Sequence, residues 1–141
     1  MSSKLTIFVD SDAFVAFVKE KDNTHQKAKN LLLQLRSRPV TFITTNYVFL
    51  ESVTVISQKI DHETAVTYID KMTSSKSPYA LHRISEEIEE QAIEIFKKQT
   101  SKNTSFVDCT NMAFMKHNNV NVIFSFDEIY RKNGFKLLED V

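Results

Sequence analysis

The sequence predicts an α/β protein, a three-layer α/β/α sandwich on a mainly parallel central sheet, and three observations carry that expectation. Short apolar, β-rich runs alternate with helix-patterned segments along the whole chain. The first run, Leu5-Thr6-Ile7-Phe8-Val9, is apolar almost throughout, the pattern of a strand covered on both faces. Carboxylates follow directly on strand-like runs, and in open parallel sheets ligands sit beyond the carboxyl ends of the strands. With 141 residues the chain is one domain's worth, so one domain over residues 1–141 is expected, long enough to bury roughly two-thirds of its unfolded surface.

After the opening strand, which stops at Asp10-Ser11-Asp12, Asp12 to Lys19 forms a short helix. Thr24 then reads as the N-cap of a second helix with Ala28, Leu31, Leu32 and Leu35 at helical spacing. Pro39 marks a loop, Val40 to Thr44 a second strand, and Thr45 or Asn46 the cap of an apolar helix through Tyr47, Leu50, Val53 and Ile56. Asp61 caps the next helix, which ends in the polar stretch Thr73 to Pro78, a loop within the domain. Ala80 to Ile84 is the third strand. Ser85 caps a helix whose acids come early (Glu86, Glu87, Glu89, Glu90) and whose Lys97 and Lys98 come late, the order that complements the helix dipole. Ser105 and Asp108 form a capping-box-like start to a helix reaching His117, followed by a strand at Val120 to Phe124, Asp127, a turn of helix and a last strand at Phe135 to Leu138. There is no internal repeat and no low-complexity segment.

Composition removes several function classes. No apolar run approaches the roughly 20 residues of a membrane span. Leu5 to Val9 is too short for a signal-peptide core, so a cytoplasmic protein without membrane association is expected. One cysteine, Cys109, excludes a disulfide framework or a cysteine-based zinc site, and one glycine, Gly134, excludes glycine-rich phosphate loops and dinucleotide fingerprints. Eighteen basic residues balance eighteen acidic ones, so any nucleic-acid binding must come from local patches or metal ions rather than from the whole-molecule field. The histidines His25, His62, His82 and His117 show no ligand spacing.

The chemistry therefore rests on acids. Asp10 follows the first strand, Asp127 follows the fourth, and Asp108 starts the helix leading into the fourth, so all three can meet at one sheet edge. Glu51 interrupts the apolar run Tyr47-Val48-Phe49-Leu50-Glu51-Ser52-Val53, and no basic residue lies between Thr41 and Gln58 to pair with it. Burying such a carboxylate calls for a partner, a metal or protonation. Carboxylates that meet repel one another unless a cation offsets them, and an all-oxygen donor set suits a hard ion, Mg²⁺ or Mn²⁺. Such an ion lowers the pKa of its water and shields charge developing on a phosphodiester, so metal-assisted phosphodiester hydrolysis follows. Taken singly the acids have plainer roles: Asp12 as a helix N-cap, Asp108 as a first-turn acid, Asp127 as a solvated turn residue.

Four segments together resemble the PIN-domain ribonucleases, including VapC-type toxins of toxin–antitoxin pairs. Ile7-Phe8-Val9-Asp10-Ser11-Asp12 resembles the opening strand and first acid, and Thr45-Asn46-Tyr47-Val48-Phe49-Leu50-Glu51 the helix with the family's glutamate. Ser105-Phe106-Val107-Asp108-Cys109 resembles the third motif, and Ile123-Phe124-Ser125-Phe126-Asp127 with Gly134-Phe135 the fourth. The resemblance implies that Asp10, Glu51, Asp108 and Asp127 are the catalytic, metal-binding quartet, that Ser125 helps orient the last acid, and that RNA is the substrate. It also implies a small antitoxin partner and a homodimer. Asp12 departs from the family pattern, which more often has Ser, Thr or Asn there; it is an accessory candidate for the metal shell or a cap.

Two other readings stay open from the residues. Asp-x-Asp after an apolar strand also opens haloacid-dehalogenase-like phosphatases, with Asp10 as nucleophile and Asp12 as acid/base. A non-catalytic RNA- or protein-binding module would use the same fold. For phosphate contact the candidates are Lys97, Lys98, Lys102, Lys116, Arg131, Lys132 and Lys136.

Overall fold

A computed structural model describes residues 4–141, so residues 1–3 of the expected domain lie outside the described residues. Leu5–Val9 forms strand β1, and helices α1 (Ser11–Val18) and α2 (His25–Gln34) follow. Strand β2 (Val40–Thr45) runs into helix α3 (Asn46–Lys59), then α4 (His62–Thr73) and strand β3 (Tyr79–His82). Helices α5 (Glu86–Lys98) and α6 (Phe106–His117) precede strand β4 (Val122–Phe124). The chain closes with the short helix α7 (Ile129–Lys132), strand β5 (Lys136–Leu137) and a 3₁₀ turn at Leu138–Asp140.

The five strands pair in the order β3-β2-β1-β4-β5, and every pairing is parallel. Strand β1 lies at the centre, and Ile7, Phe8 and Val9 are fully buried, which is why the run could be apolar on consecutive residues. The order of strands reverses at β1. The first two crossovers step outward to β2 and β3, and the third returns past β1 to β4. Because parallel crossovers are right-handed, this reversal puts α5 and α6 on the face opposite α1 to α4. Aromatic contacts mark the two faces: Phe8 and His82 meet Phe114 of α6, with centroids 5.8 and 5.5 Å apart, whereas Phe124 meets Phe17 of α1 and Tyr79 meets Phe14 of α1. Both helical layers are thus seated on one sheet, and the reversal leaves a crevice beyond the ends of β1 and β4.

Several boundaries differ from the sequence expectation for local reasons. Strand β4 begins at Val122 rather than Val120, because the Val120 amide donates to Met115 O at 2.9 Å and belongs to the end of α6. Strand β3 stops at His82 and Ile84 leaves the ladder to donate to Asn46 Oδ1 at 2.8 Å. The cap of α3 is Thr45, which frees Asn46 for that contact. Thr24 precedes α2 but its side chain makes no capping bond, its hydroxyl donating instead to Asp22. Gly134, at φ +90, supplies the left-handed turn between α7 and β5 that other residues rarely adopt. No helix among the described residues is long and apolar enough to cross a membrane.

Candidate active site

The crevice is built on Asp10. The Asp10 amide donates to Phe124 O at 3.1 Å, continuing the β1–β4 ladder one residue beyond the strand, so the side chain emerges at the reversal point and is only 4% exposed. Thr44, fully buried, donates its hydroxyl to Val9 O at 2.9 Å and locks the end of β2 to the end of β1. The helix cap expected of Asp12 falls to Asp10 instead, whose Oδ1 accepts from the Ser11 amide at 2.8 Å.

Four donors converge on the Asp10 carboxylate. Besides Ser11 N, Oδ1 accepts from Asn111 Nδ2 at 3.2 Å, while Oδ2 faces the Ser125 hydroxyl at 3.1 Å and the Tyr130 hydroxyl at 2.9 Å. Tyr130 also lies 3.1 Å from Asp108 Oδ1. Asp10 and Asp108 therefore approach each other across a single phenol oxygen. Asp108 is fixed from its other side by the capping box of α6: Ser105 N donates to Asp108 Oδ2, and Asp108 N donates to Ser105 Oγ, both at 3.0 Å. The sequence signal for that box thus also fixes an acid at the site.

Asp12 points to the loop after β4. Its Oδ2 accepts from Phe126 N at 2.8 Å and faces Ser125 Oγ at 3.1 Å, while its Oδ1 is buried without a partner. Ser125 Oγ in turn accepts from Asp127 N at 3.2 Å, so this hydroxyl links Asp10, Asp12 and the segment bearing Asp127. Asp127 itself is exposed at the rim, its Oδ1 accepting from Ile129 N at 3.0 Å. Glu51 reaches the cluster from α3 by accepting a hydrogen bond from Ser11 Oγ. It is half-buried rather than enclosed, because α3 turns the neighbouring Leu50 out to solvent at 69% exposure.

The charge of this cluster is not compensated by protein cations. Ion pairs among the described residues lie elsewhere: Lys27 with Glu139, Lys97 with Glu94, and Arg131 with Glu128, Glu139 and Asp140. Burial pushes the Asp10 carboxyl well above the usual range, with the charges of Asp12 and Asp108 adding to it. Asp12 is pushed up to about 6, chiefly by burial and against the hydrogen bonds from Phe126 and Ser125. Asp108 is also raised by burial, with Asp127 adding repulsion. Among the described residues no three Asp, Glu, His or Cys side chains stand ready to grip one ion directly. The acids are spaced by the hydroxyls of Tyr130, Ser125 and Ser11. The donor set still fits a divalent ion of the magnesium type, which is commonly held by one or two carboxylates and keeps much of its water. Carboxylates raised by burial and then by mutual repulsion, and an unpartnered Asp12 oxygen, are what such an ion would relieve.

Sequence reasoning placed Asp10, Asp108 and Asp127 at one sheet edge, and there they stand, joined by the accessory candidates Asp12 and Ser125 and, through Ser11, by Glu51. It did not single out Ser11, Asn111 or Tyr130. Asn111 had a signal: it lies three residues after Asp108 on the same helical face, an amide side chain followed directly by the apolar run Met112 to Met115 of α6. Among the basic candidates, Arg131 is engaged by three acids and is not free for phosphate.

An all-parallel sheet in the order 3-2-1-4-5, with acids gathered where that order reverses, defines the class: the chain belongs to the PIN-domain family, whose profile matches residues 7–136. Within that class it is similar to the 23S rRNA-specific endonuclease VapC20 of Mycobacterium tuberculosis, 29% identical over 129 residues that cover 92% of this chain and 95% of the relative. The crystal structure of that toxin, described as cleaving the sarcin–ricin loop, superposes with a TM-score of 0.82 at 28% identity, again over 92% of this chain and 95% of the other. VapBC2 from Rickettsia felis, solved on a promoter DNA fragment, shares the fold with a TM-score of 0.66 at 14% identity, over 94% of this chain and 97% of that one.

Proposed function

We propose that the chain is a divalent-metal-dependent endoribonuclease that hydrolyses RNA phosphodiester bonds, and that it is the toxin of a toxin–antitoxin pair acting in the cytoplasm. One observation carries the reading: the buried Asp10 and the half-buried Asp12 and Asp108 are linked through shared hydroxyls at the sheet's reversal point, with no cationic side chain paired to them among the described residues. Asp10, Glu51, Asp108 and Asp127 would hold Mg²⁺ or Mn²⁺, with Asp12 and Ser125 in support. When bound, the ion supplies Lewis acidity, easing deprotonation of water and offsetting charge on the phosphate.

The side chains divide the remaining work. Asp10, fixed by four donors, is the rigid anchor; Ser11 aims Glu51; the capping box holds Asp108. Asp127 stands on the exposed rim, the side open to a polymer. The phosphatase alternative is disfavoured by Glu51, which reaches the cluster through Ser11 and would have no role there.

The similarity to VapC20 makes 23S rRNA the first substrate to assay, a toxin–antitoxin complex that shares the fold makes a small antitoxin protein part of the proposal, and the family resemblance adds a homodimer. Purified protein should cleave RNA with Mg²⁺ or Mn²⁺ and stop when the metal is chelated. Cleavage undiminished by chelation, or by both Asp10→Asn and Asp108→Asn in folded protein, rejects the reading.

A further inference from the structure

We propose that Tyr130 and Asn111 are positioning residues that set the affinity of the acidic site for its divalent ion, by holding Asp10 and Asp108 against each other before the ion arrives. The inference rests on the metal reading above and assigns to two further residues the work of organising it.

The geometry is specific. The phenol oxygen of Tyr130 lies 2.9 Å from Asp10 Oδ2 and 3.1 Å from Asp108 Oδ1, and it accepts from Asn111 Nδ2 at 3.0 Å. The same Asn111 amide nitrogen donates its second hydrogen to Asp10 Oδ1 at 3.2 Å. A phenol has one hydrogen to give. With Asn111 donating into its oxygen, that hydrogen is directed at the two carboxylates, and they share it. Both side chains are fully buried. The pair therefore binds three elements together, α6 through Asp108 and Asn111, α7 through Tyr130, and the end of β1 through Asp10.

Packing alone does not call for this arrangement. Asn111 sits among Met112, Ala113 and Met115 in a buried apolar helix, and its Oδ1 is left without a partner. A buried acceptor left unmade is a cost that an apolar residue of similar shape would avoid. A buried phenol between two like-charged carboxylates is likewise a poor way to fill space. Both features are accounted for if the return is orientation: without the shared hydrogen, Asp10 and Asp108 repel across the gap, and an arriving ion must first gather them. Outer hydrogen-bond partners of metal ligands act in this way, and their loss typically weakens metal binding about 10–100-fold.

The test is a Mn²⁺ titration of the metal-free full-length protein, read as free Mn²⁺ by electron paramagnetic resonance, on wild type, Tyr130→Phe, Asn111→Ala and the double variant. Tyr130→Phe keeps the ring and removes only the hydroxyl; Asn111→Ala leaves Tyr130 in place and serves if the first variant does not fold. Each single variant should bind Mn²⁺ about 10–100-fold more weakly. The double variant should be little worse than the weaker single, since the two side chains act as one unit. At saturating Mn²⁺ cleavage by Tyr130→Phe should recover most of its rate, a split that a merely structural role would not produce. Binding within twofold of wild type by a folded single variant overturns the inference while leaving the metal reading intact. Failure of the wild type itself to bind Mn²⁺ overturns both.

Discussion

Asp12 shows how much a single side chain contributes here. Its Oδ2 latches the loop after β4 by accepting from Phe126 N, and its Oδ1 is buried with nothing to bond. Its carboxyl, pushed up to about 6 from an ordinary 3.8, keeps a proton in the folded protein that the unfolded chain has already released. The folded form thus binds more protons between those two values, and stability must fall as pH rises through that window. In metal-free protein the melting temperature, followed from pH 4 to 7.5 in chelator, should decline more steeply for wild type than for Asp12→Asn, which has no proton to lose. At pH 7.5 the same variant should melt higher than wild type without metal. By contrast Asp10→Asn and Asp108→Asn should each lower the cleavage rate by about 100-fold or more, the scale on which one preorganised catalytic group acts. A chelated pH–melting series and a gel assay of RNA cleavage check these outcomes.

Helix starts position the acids, and caps therefore carry functional as well as structural weight. Ser105 accepts from Asp108 N and its own amide donates to Asp108 Oδ2. Ser105→Ala should cost about 1 kcal/mol in urea unfolding and also impair cleavage, because it releases one side of an acid that the site needs. Asp61 caps α4 in the same manner, accepting from Thr64 N at 2.6 Å, but stands away from the crevice. Asp61→Ala should lower thermal stability and leave cleavage unchanged. The comparison separates a cap that orders a helix from one that also aims a reactive group. Both caps were legible in the sequence, since a Ser or Asp before an apolar periodic segment has a local explanation. Thr24 holds the N-cap position of α2 as expected but makes no capping bond, since its hydroxyl has a nearer acceptor in Asp22.

On the scale of the whole molecule the sheet does the gathering. Strand β1 pairs on both sides, and its Phe8, fully buried, packs on Phe114 of the opposite helical layer. Phe8→Ala should cost about 3–5 kcal/mol, a large share of the roughly 5–15 kcal/mol that holds a domain together. Urea unfolding should show a much lower midpoint, and cleavage should fall with the folded fraction rather than through the site. The fold class was readable because apolar runs and helical periodicity repeat along the chain, and the acids at strand ends were readable because a parallel sheet presents those ends to one edge. The sequence pattern did overstate the burial of Glu51: apolar neighbours along a helix need not enclose it when, as at Leu50, one of them faces water.

What the amino-acid sequence alone determined is the set of elements, the burial of an apolar first strand on both faces, and the acids that lead out of them, because each depends on residues within a turn or two of one another. Only the tertiary structure decided that the strand order reverses at β1, that Ser11 donates to Glu51, that Asp10 and not Asp12 caps α1, and that Tyr130, 120 residues from Asp10 in the chain, stands between Asp10 and Asp108. Those outcomes depend on how packed elements meet, and a hydrogen bond between distant segments exists only once packing has fixed its distance and direction.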